Sequence, residues 1–76
     1  MNYKQIIDPV VFLQVQISRL FMEKHNLTPQ EFLLLNSKKD ILGFLRDGYE
    51  IFHLMGDDGI LEELDNYLRI TDKQVL

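Results

Sequence analysis

The chain has 76 residues, 46% of them hydrophobic and 26% charged, with a net charge of −4, which is typical of one small globular domain and excludes a disordered chain. It contains no cysteine, which excludes a disulfide framework and a cysteine-ligated zinc site. No apolar run approaches the roughly 18 residues of a membrane span and the first residues lack a signal-peptide cleavage site, so we expect a cytoplasmic protein.

The first predicted helix covers residues 9–25. Asp8 can cap its free amides, and Pro9 fits its first turn. One apolar stripe at helical spacing comprises Val10, Leu13, Ile17, Leu20 and Phe21. A second stripe, on a neighbouring face, comprises Val11, Val15 and Met22 and passes through Ser18. A helix with two apolar stripes must be covered by more than one neighbouring element. The first helix is therefore either the central helix of a bundle or a helix with one face against another chain.

The stretch LTPQEF predicts the start of a second helix over residues 29–36. The Thr28 side chain can accept from the Glu31 amide while the Glu31 side chain reaches back, which is a capping box. Pro29 takes the first helical position. We expect a break in the helix at Ser37.

A third helix is predicted over residues 38–55, with a kink or a break near Gly48; a short extended segment is the alternative for residues 49–55. Ser37, followed three residues later by Asp40, predicts its start. Its inner stripe comprises Ile41, Leu42, Leu45 and Tyr49. Gly43 within the helix costs up to about 1 kcal/mol relative to alanine, which indicates close packing at that point.

The last predicted helix covers residues 58–70. Gly56 suits the left-handed position after the preceding helix, and Asp57 or Asp58 suits the next N-cap. The inward positions of its amphipathic pattern are Ile60, Leu61, Leu64, Tyr67 and Leu68. The outward positions are Glu62, Glu63, Asp65 and Asn66. Together the segments predict an all-α fold, a compact bundle of four or five helices that forms a single domain over residues 1–76.

The two histidines are the first candidates for chemistry. His25 lies at the end of the first predicted helix, where a cation interacts favourably with the helix dipole. His53 follows Tyr49 by four residues, so the two share a face of a helix and form a candidate functional cluster. The nearby Gly-Asp-Asp-Gly sequence lacks the ligand spacing of a calcium loop and places carboxylates where a phosphate would bind. We therefore predict no metal site, no cofactor and no catalytic residue.

The charge is distributed unevenly along the chain. Residues 1–46 carry six Lys or Arg and four Asp or Glu, whereas residues 47–76 carry two and eight. The acidic half argues against nucleic acid and favours a basic protein partner. A core of this size supplies only about 3–5 kcal/mol, which also favours a protein partner or a homo-oligomer. The predicted partner-binding surface consists of Asp57, Asp58, Glu62, Glu63 and Asp65.

Two other small helical modules match part of the pattern. An acidic four-helix domain of this length resembles acyl carrier proteins, but Ser37 lies in Asn-Ser-Lys and does not follow Asp and precede Leu as their attachment serine does. The alternative function is a helix-turn-helix DNA-binding regulator, formed by residues 29–36, a short turn and a helix that opens with Lys38 and Lys39. Beyond these lysines and Arg46, no basic stripe supports DNA binding.

Residues 49–53 (YEIFH), Gly56 and residues 61–68 (LEELDNYL) together resemble a family of short bacterial proteins catalogued as a domain of unknown function. The first-helix sequence VVFLQVQISRLFMEKHNLTPQE is also similar, so the resemblance covers nearly the whole chain. The chain departs from the family at Leu54, where threonine commonly follows the histidine, and at Gly59, where an aromatic residue is usual. Some members are encoded beside ADP-ribosyltransferase-like proteins, which implies an antitoxin-like or accessory role. We therefore expect a non-catalytic protein-interaction domain with no small-molecule substrate.

Overall fold

The computed structural model describes residues 8–75, with the side chains of residues 8–69. Its helices are α1 (Pro9–His25), α2 (Pro29–Lys39), α3 (Ile41–Asp47), α4 (Tyr49–Phe52) and α5 (Asp57–Val75). The described residues contain no strand, and the predicted all-α fold is confirmed. No helix in this part of the chain is both long enough and apolar enough to cross a membrane.

The ends of α1 and the start of α2 are fixed by local hydrogen bonds. The Asp8 carboxylate accepts from the Val10 amide at 2.7 Å, and α1 ends at Asn26, which adopts the left-handed conformation with φ 57°. The predicted capping box at the start of α2 is confirmed. Thr28 Oγ1 accepts from the Glu31 amide at 3.1 Å, and the Glu31 carboxylate accepts from the Thr28 amide at 2.8 Å. These bonds define a short connection between α1 and α2.

The predicted helix break at Ser37 is wrong. The Ser37 hydroxyl donates to the Leu34 carbonyl at 2.6 Å, so it is satisfied within α2 and does not cap the next helix. Asp40 is the cap residue: with φ 51°, its carboxylate accepts from the Gly43 amide at 3.1 Å. Aspartate tolerates this left-handed conformation better than most residues. As a result α3 begins at Ile41, later than predicted.

Two glycines lie where a side chain would overlap a neighbour. A Cβ atom at Gly43 would overlap the Asp40 carboxylate, so glycine permits the cap at the start of α3. This is the close packing predicted at Gly43. A Cβ atom at Gly48 would overlap the Phe52 ring. Gly48 separates α3 from α4, so the break that was one of the two predicted outcomes is the one observed.

The start of α5 differs from the prediction. Gly56 is not left-handed, because no glycine in the described residues has a positive φ. Its carbonyl instead accepts from the Ile60 amide at 3.2 Å, which makes Gly56 the N-cap residue. Asp57 and Asp58 therefore lie in the first turn, where their charge complements the helix dipole. The helix continues to Val75, beyond the predicted end at residue 70.

The core lies where α1, α3 and α5 pack together. Its buried side chains are Ile17, Phe21, Phe32, Ile41, Leu45, Phe52, Ile60, Leu61 and Leu64. Further along α5, Tyr67 stacks on Phe44 with the ring centroids 4.2 Å apart, and its hydroxyl donates to the Lys39 carbonyl. The inner stripe of α5 therefore joins α1 to the α2–α3 junction.

Ser18 is the polar side chain in this interior. It is 7% exposed, and its Oγ has no hydrogen-bond partner among the described residues. A buried unpaired hydroxyl costs about 1–3 kcal/mol, and alanine is a better helix former than serine. We expect Ser18→Ala to raise the free energy of unfolding in urea by about 1 kcal/mol. Ser37→Ala, at an exposed site, should give no such gain, and an unchanged or lower stability of Ser18→Ala would contradict the cost assigned to this hydroxyl.

Candidate functional site

The N-terminal part of the second apolar stripe of α1, at Val11 and Val15, is left uncovered by the described residues, whereas Ser18 is buried and Met22 packs against the core. Val11 is 50% exposed and Val15 is 63% exposed. Met22 continues the stripe, and Leu42 of α3 faces it across an open groove of about 520 Å³. The first stripe meanwhile packs into the core through Ile17 and its neighbours. Helix α1 thus has one face in the bundle and one apolar face open.

A second concavity, here called the α1–α4–α5 cleft, lies between the N-terminal half of α1, α4 and the start of α5. Its volume is about 260 Å³. The lining includes Phe12, Gln16, Tyr49, His53 and Asp57. Phe12 and Val15 are i, i+3 neighbours on α1, and Phe12 is itself 55% exposed. The cleft therefore adjoins the open apolar face of α1.

Tyr49 and His53 meet in the cleft. Their rings stack with centroids 4.9 Å apart and planes 13° from parallel. His53 Nδ1 lies 2.9 Å from the Tyr49 carbonyl oxygen. Because a carbonyl oxygen can only accept, Nδ1 donates in this contact, and Nε2 is the ring nitrogen that the contact does not engage. No group of three His, Asp or Glu side chains suited to a metal ion occurs in the described part of the chain.

The acidic residues of the predicted partner surface fall into two groups. The Asp65 side chain joins α5 to the end of α1, because its carboxylate accepts from Lys24 Nζ at 2.6 Å and lies 2.8 Å from His25 Nε2. The Asp57 carboxylate accepts from Gln16 Nε2 at 3.2 Å. Lys24 follows Gln16 along α1, and its partner Asp65 follows Asp57 along α5, so the two helices run parallel. Asp65 therefore lies against the end of α1, and its predicted position on the outer face is wrong.

The second group remains on the outer face of α5. The side chains of Asp58, Glu62 and Glu63 are exposed and make no hydrogen bond or ion pair with the described residues. Asp58 and Glu62 are i, i+4 neighbours, so they lie on the same side of the helix. Glu63 lies about 100° further round the helix. The predicted acidic surface is therefore reduced to an edge at Asp58 and Glu62, with Glu63 on another side.

The contacts of Asp65 shift its pKa. Partial burial acts to raise the pKa of Asp65, but the hydrogen bonds from Lys24 and His25 outweigh it and the pKa is lowered from its usual value of 3.8. A carboxyl group with a lower pKa in the folded state stabilises the fold above its unfolded pKa, and this contribution is lost as the pH falls through the lowered value.

We expect the free energy of unfolding to fall more steeply below pH 3.8 in the wild-type protein than in Asp65→Asn. At neutral pH the substitution should cost less than about 1 kcal/mol, because the ion pairs are partly exposed. Urea denaturation from neutral into acid pH measures both quantities. Identical pH dependence in the two proteins would contradict the stabilising role of Asp65.

Lys38 and Lys39 end α2 and do not open α3. A helix-turn-helix protein needs the first residues of its second helix free to contact DNA. Here α3 is preceded by the Asp40 carboxylate and opens with Ile41, which is fully buried. The predicted helix bounds, with a turn after residue 36 and a second helix that opens with Lys38 and Lys39, are therefore wrong. The two lysines instead complement the carbonyl end of the α2 dipole.

Phe12 and Gln16 line the cleft but were not predicted to belong to a functional site. Phe12 could have been recognised from the sequence as a candidate surface residue, because it is a large aromatic residue of α1 outside both apolar stripes. The sequence gives no indication of a role for Gln16, since a glutamine on the polar face of a helix is ordinary. The contact of Gln16 with Asp57 depends on the parallel packing of α1 and α5, which the helical patterns do not specify.

Residues 15–70 match the family model described as "Protein of unknown function (DUF3791)". No curated protein and no solved structure shows a significant match to the chain. The matched range begins within α1 and ends within α5, and it includes all of α2, α3 and α4.

Proposed function

Since the chain belongs to this family of proteins of unknown function, we propose its role from its structure. It is a non-catalytic protein-interaction domain, an antitoxin-like or accessory partner of a protein encoded beside it in the bacterial cytoplasm. The observation that carries this proposal is the exposed apolar surface of α1 at Val11, Phe12 and Val15. Helix α5 adds exposed carboxylates at Asp58 and Glu62 that have no ion pair among the described residues. We call Val11, Phe12, Val15, Asp58 and Glu62 the binding face.

The apolar part of the binding face supplies the affinity. Val11, Phe12 and Val15 are each at least half exposed, although the core of the domain is complete without them. Contiguous exposed apolar side chains commonly mark protein interaction sites. Because Val11 and Val15 lie one turn apart and line an open groove, with Phe12 next to Val11 in the chain, a helix of the partner fits this surface in the helix-in-groove mode.

The acidic part of the binding face selects the partner. Asp58 and Glu62 have no internal cation to neutralise them within the described residues, so their charge is available to a basic surface. Charges at the rim of an interface mainly govern the association rate and specificity. The partner is therefore expected to present an apolar helix flanked by basic residues.

The interpretation as a non-catalytic protein is supported by the hydroxyl groups. The Thr28 and Ser37 hydroxyls are engaged in helix hydrogen bonds, and the Ser18 hydroxyl is buried. A nucleophile needs an accessible hydroxyl beside a base. None of these three groups meets that condition.

The test is co-purification with the protein encoded beside this chain, followed by association rates for two single charge reversals. We expect Glu62→Lys to slow association by roughly tenfold at low salt, because steering by rim charges is lost. Glu63→Lys makes the same change in charge about 100° round the helix and should have a smaller effect. Equal rates for both variants would reject the acidic edge, and failure of the wild-type protein to co-purify would reject the proposed function.

A further inference from the structure

We infer that the α1–α4–α5 cleft binds an arginine side chain of the partner protein, an inference that rests on the proposed function. The cleft lies beside the binding face, because Phe12 belongs to both. It brings together a carboxylate, an imidazole and aromatic rings from three helical segments. None of these groups belongs to the buried core.

The volume of the cleft limits the size of the group that it can bind. Sites for small molecules and cofactors commonly have about 300–1,000 Å³. At about 260 Å³ the cleft lies just below that range and is open to the surface. It therefore fits one inserted side chain better than a cofactor. Interfaces commonly concentrate their binding energy in such anchored side chains, among which arginine is enriched.

The polar groups of the cleft are mainly acceptors. Asp57 presents a carboxylate, and His53 also lines the cleft, where its Nδ1 donates to the Tyr49 carbonyl and leaves Nε2 for a further hydrogen bond. Gln16 donates its Nε2 hydrogen bond to Asp57 at 3.2 Å, which orients that carboxylate. A guanidinium group has five N–H donors and no acceptor, so it complements this set. A carboxylate or phosphate ligand would meet the Asp57 charge and be repelled.

The aromatic groups favour arginine over lysine. The stacked rings of Tyr49 and His53 and the exposed ring of Phe12 offer flat surfaces around the cleft. A planar guanidinium stacks on such rings, whereas an ammonium group is a compact and strongly hydrated charge. Among the described residues, no lysine or arginine lines the cleft.

The test is an NMR titration of the whole chain with N-acetylarginine amide, compared with the neutral analogue N-acetylcitrulline amide. We expect saturable shifts of the His53 ring and Gln16 carboxamide signals with the arginine probe, and binding at least about tenfold weaker with citrulline. Asp57→Asn should lose about as much affinity for arginine, whereas Glu63→Gln, the same change in charge outside the cleft, should lose little. Equal binding of the two probes, or an equal loss in both variants, would overturn the inference.

The arginine titration and the co-purification test can fail independently of each other. The citrulline comparison uses the wild-type chain, so it holds even if Asp57→Asn fails to fold. No partner protein is present in the titration. Co-purification of the partner without specific binding of arginine would overturn the cleft inference alone. Specific binding of arginine without co-purification would overturn the proposed function, and with it the assignment of the arginine to that partner.

Discussion

Leu64→Ala is expected to lower the free energy of unfolding by about 2–5 kcal/mol and leave much of the protein unfolded at room temperature. Leu64 is 0% exposed and lies at the centre of the inner stripe of α5, which contacts both α1 and α3 through the core. Truncation to alanine removes the buried methyl groups and leaves a cavity. A domain of this size has only about 3–5 kcal/mol in total, so the loss approaches its whole stability.

Circular dichroism in increasing urea measures this effect. The matched control is Glu62→Ala, on the exposed face of the same helix, which should change stability by less than about 0.5 kcal/mol. A folded Leu64→Ala variant that loses less than about 1 kcal/mol would contradict the burial of this stripe. In that case the orientation of α5, and with it the placement of the acidic edge, would be wrong.

Val15→Asp is expected to weaken binding of the partner by roughly 30-fold or more, because the loss of a central apolar anchor commonly costs about 2 kcal/mol. Val15 lies between Val11 and Met22 on the open stripe of α1 and is 63% exposed. The substitution places a charge in an apolar interface. The fold itself should lose less than about 0.5 kcal/mol, since the site is exposed and the two residues have similar helix propensities.

Isothermal titration calorimetry with the co-purified partner gives the affinity, and urea denaturation gives the stability. Leu34→Asp is the matched control, because Leu34 is 60% exposed on α2 and lies outside the binding face. It should leave the affinity nearly unchanged. The role of the α1 face would be refuted by an equal loss in both variants or by full affinity of Val15→Asp.

Features set by neighbouring residues were predictable from the sequence. The capping box at Thr28 and Glu31 needs only the side chains of one helical turn. The inner stripe of α5 follows from spacing alone, and Ile60, Leu61 and Leu64 are buried as predicted. The proximity of Tyr49 and His53 follows from their i, i+4 spacing.

Features that depend on competing local bonds were less predictable. Both Ser37 and Asp40 can cap a helix, and the sequence does not show that Asp40 would adopt the left-handed conformation while Ser37 bonds back to Leu34. Contacts between helices were not predictable at all. The pairing of Asp65 with Lys24 joins residues far apart in the chain and requires the parallel packing of α1 on α5.

NMR chemical-shift mapping of the purified complex tests the central claim most directly. If α1 and the edge of α5 form the partner surface, the largest changes on binding should occur at Val11, Phe12, Val15 and Asp58. Leu33 and Leu34 are similarly exposed apolar residues on α2, and their signals should change little. Changes concentrated at Leu33 and Leu34, with the α1 signals unmoved, would show that the partner binds elsewhere.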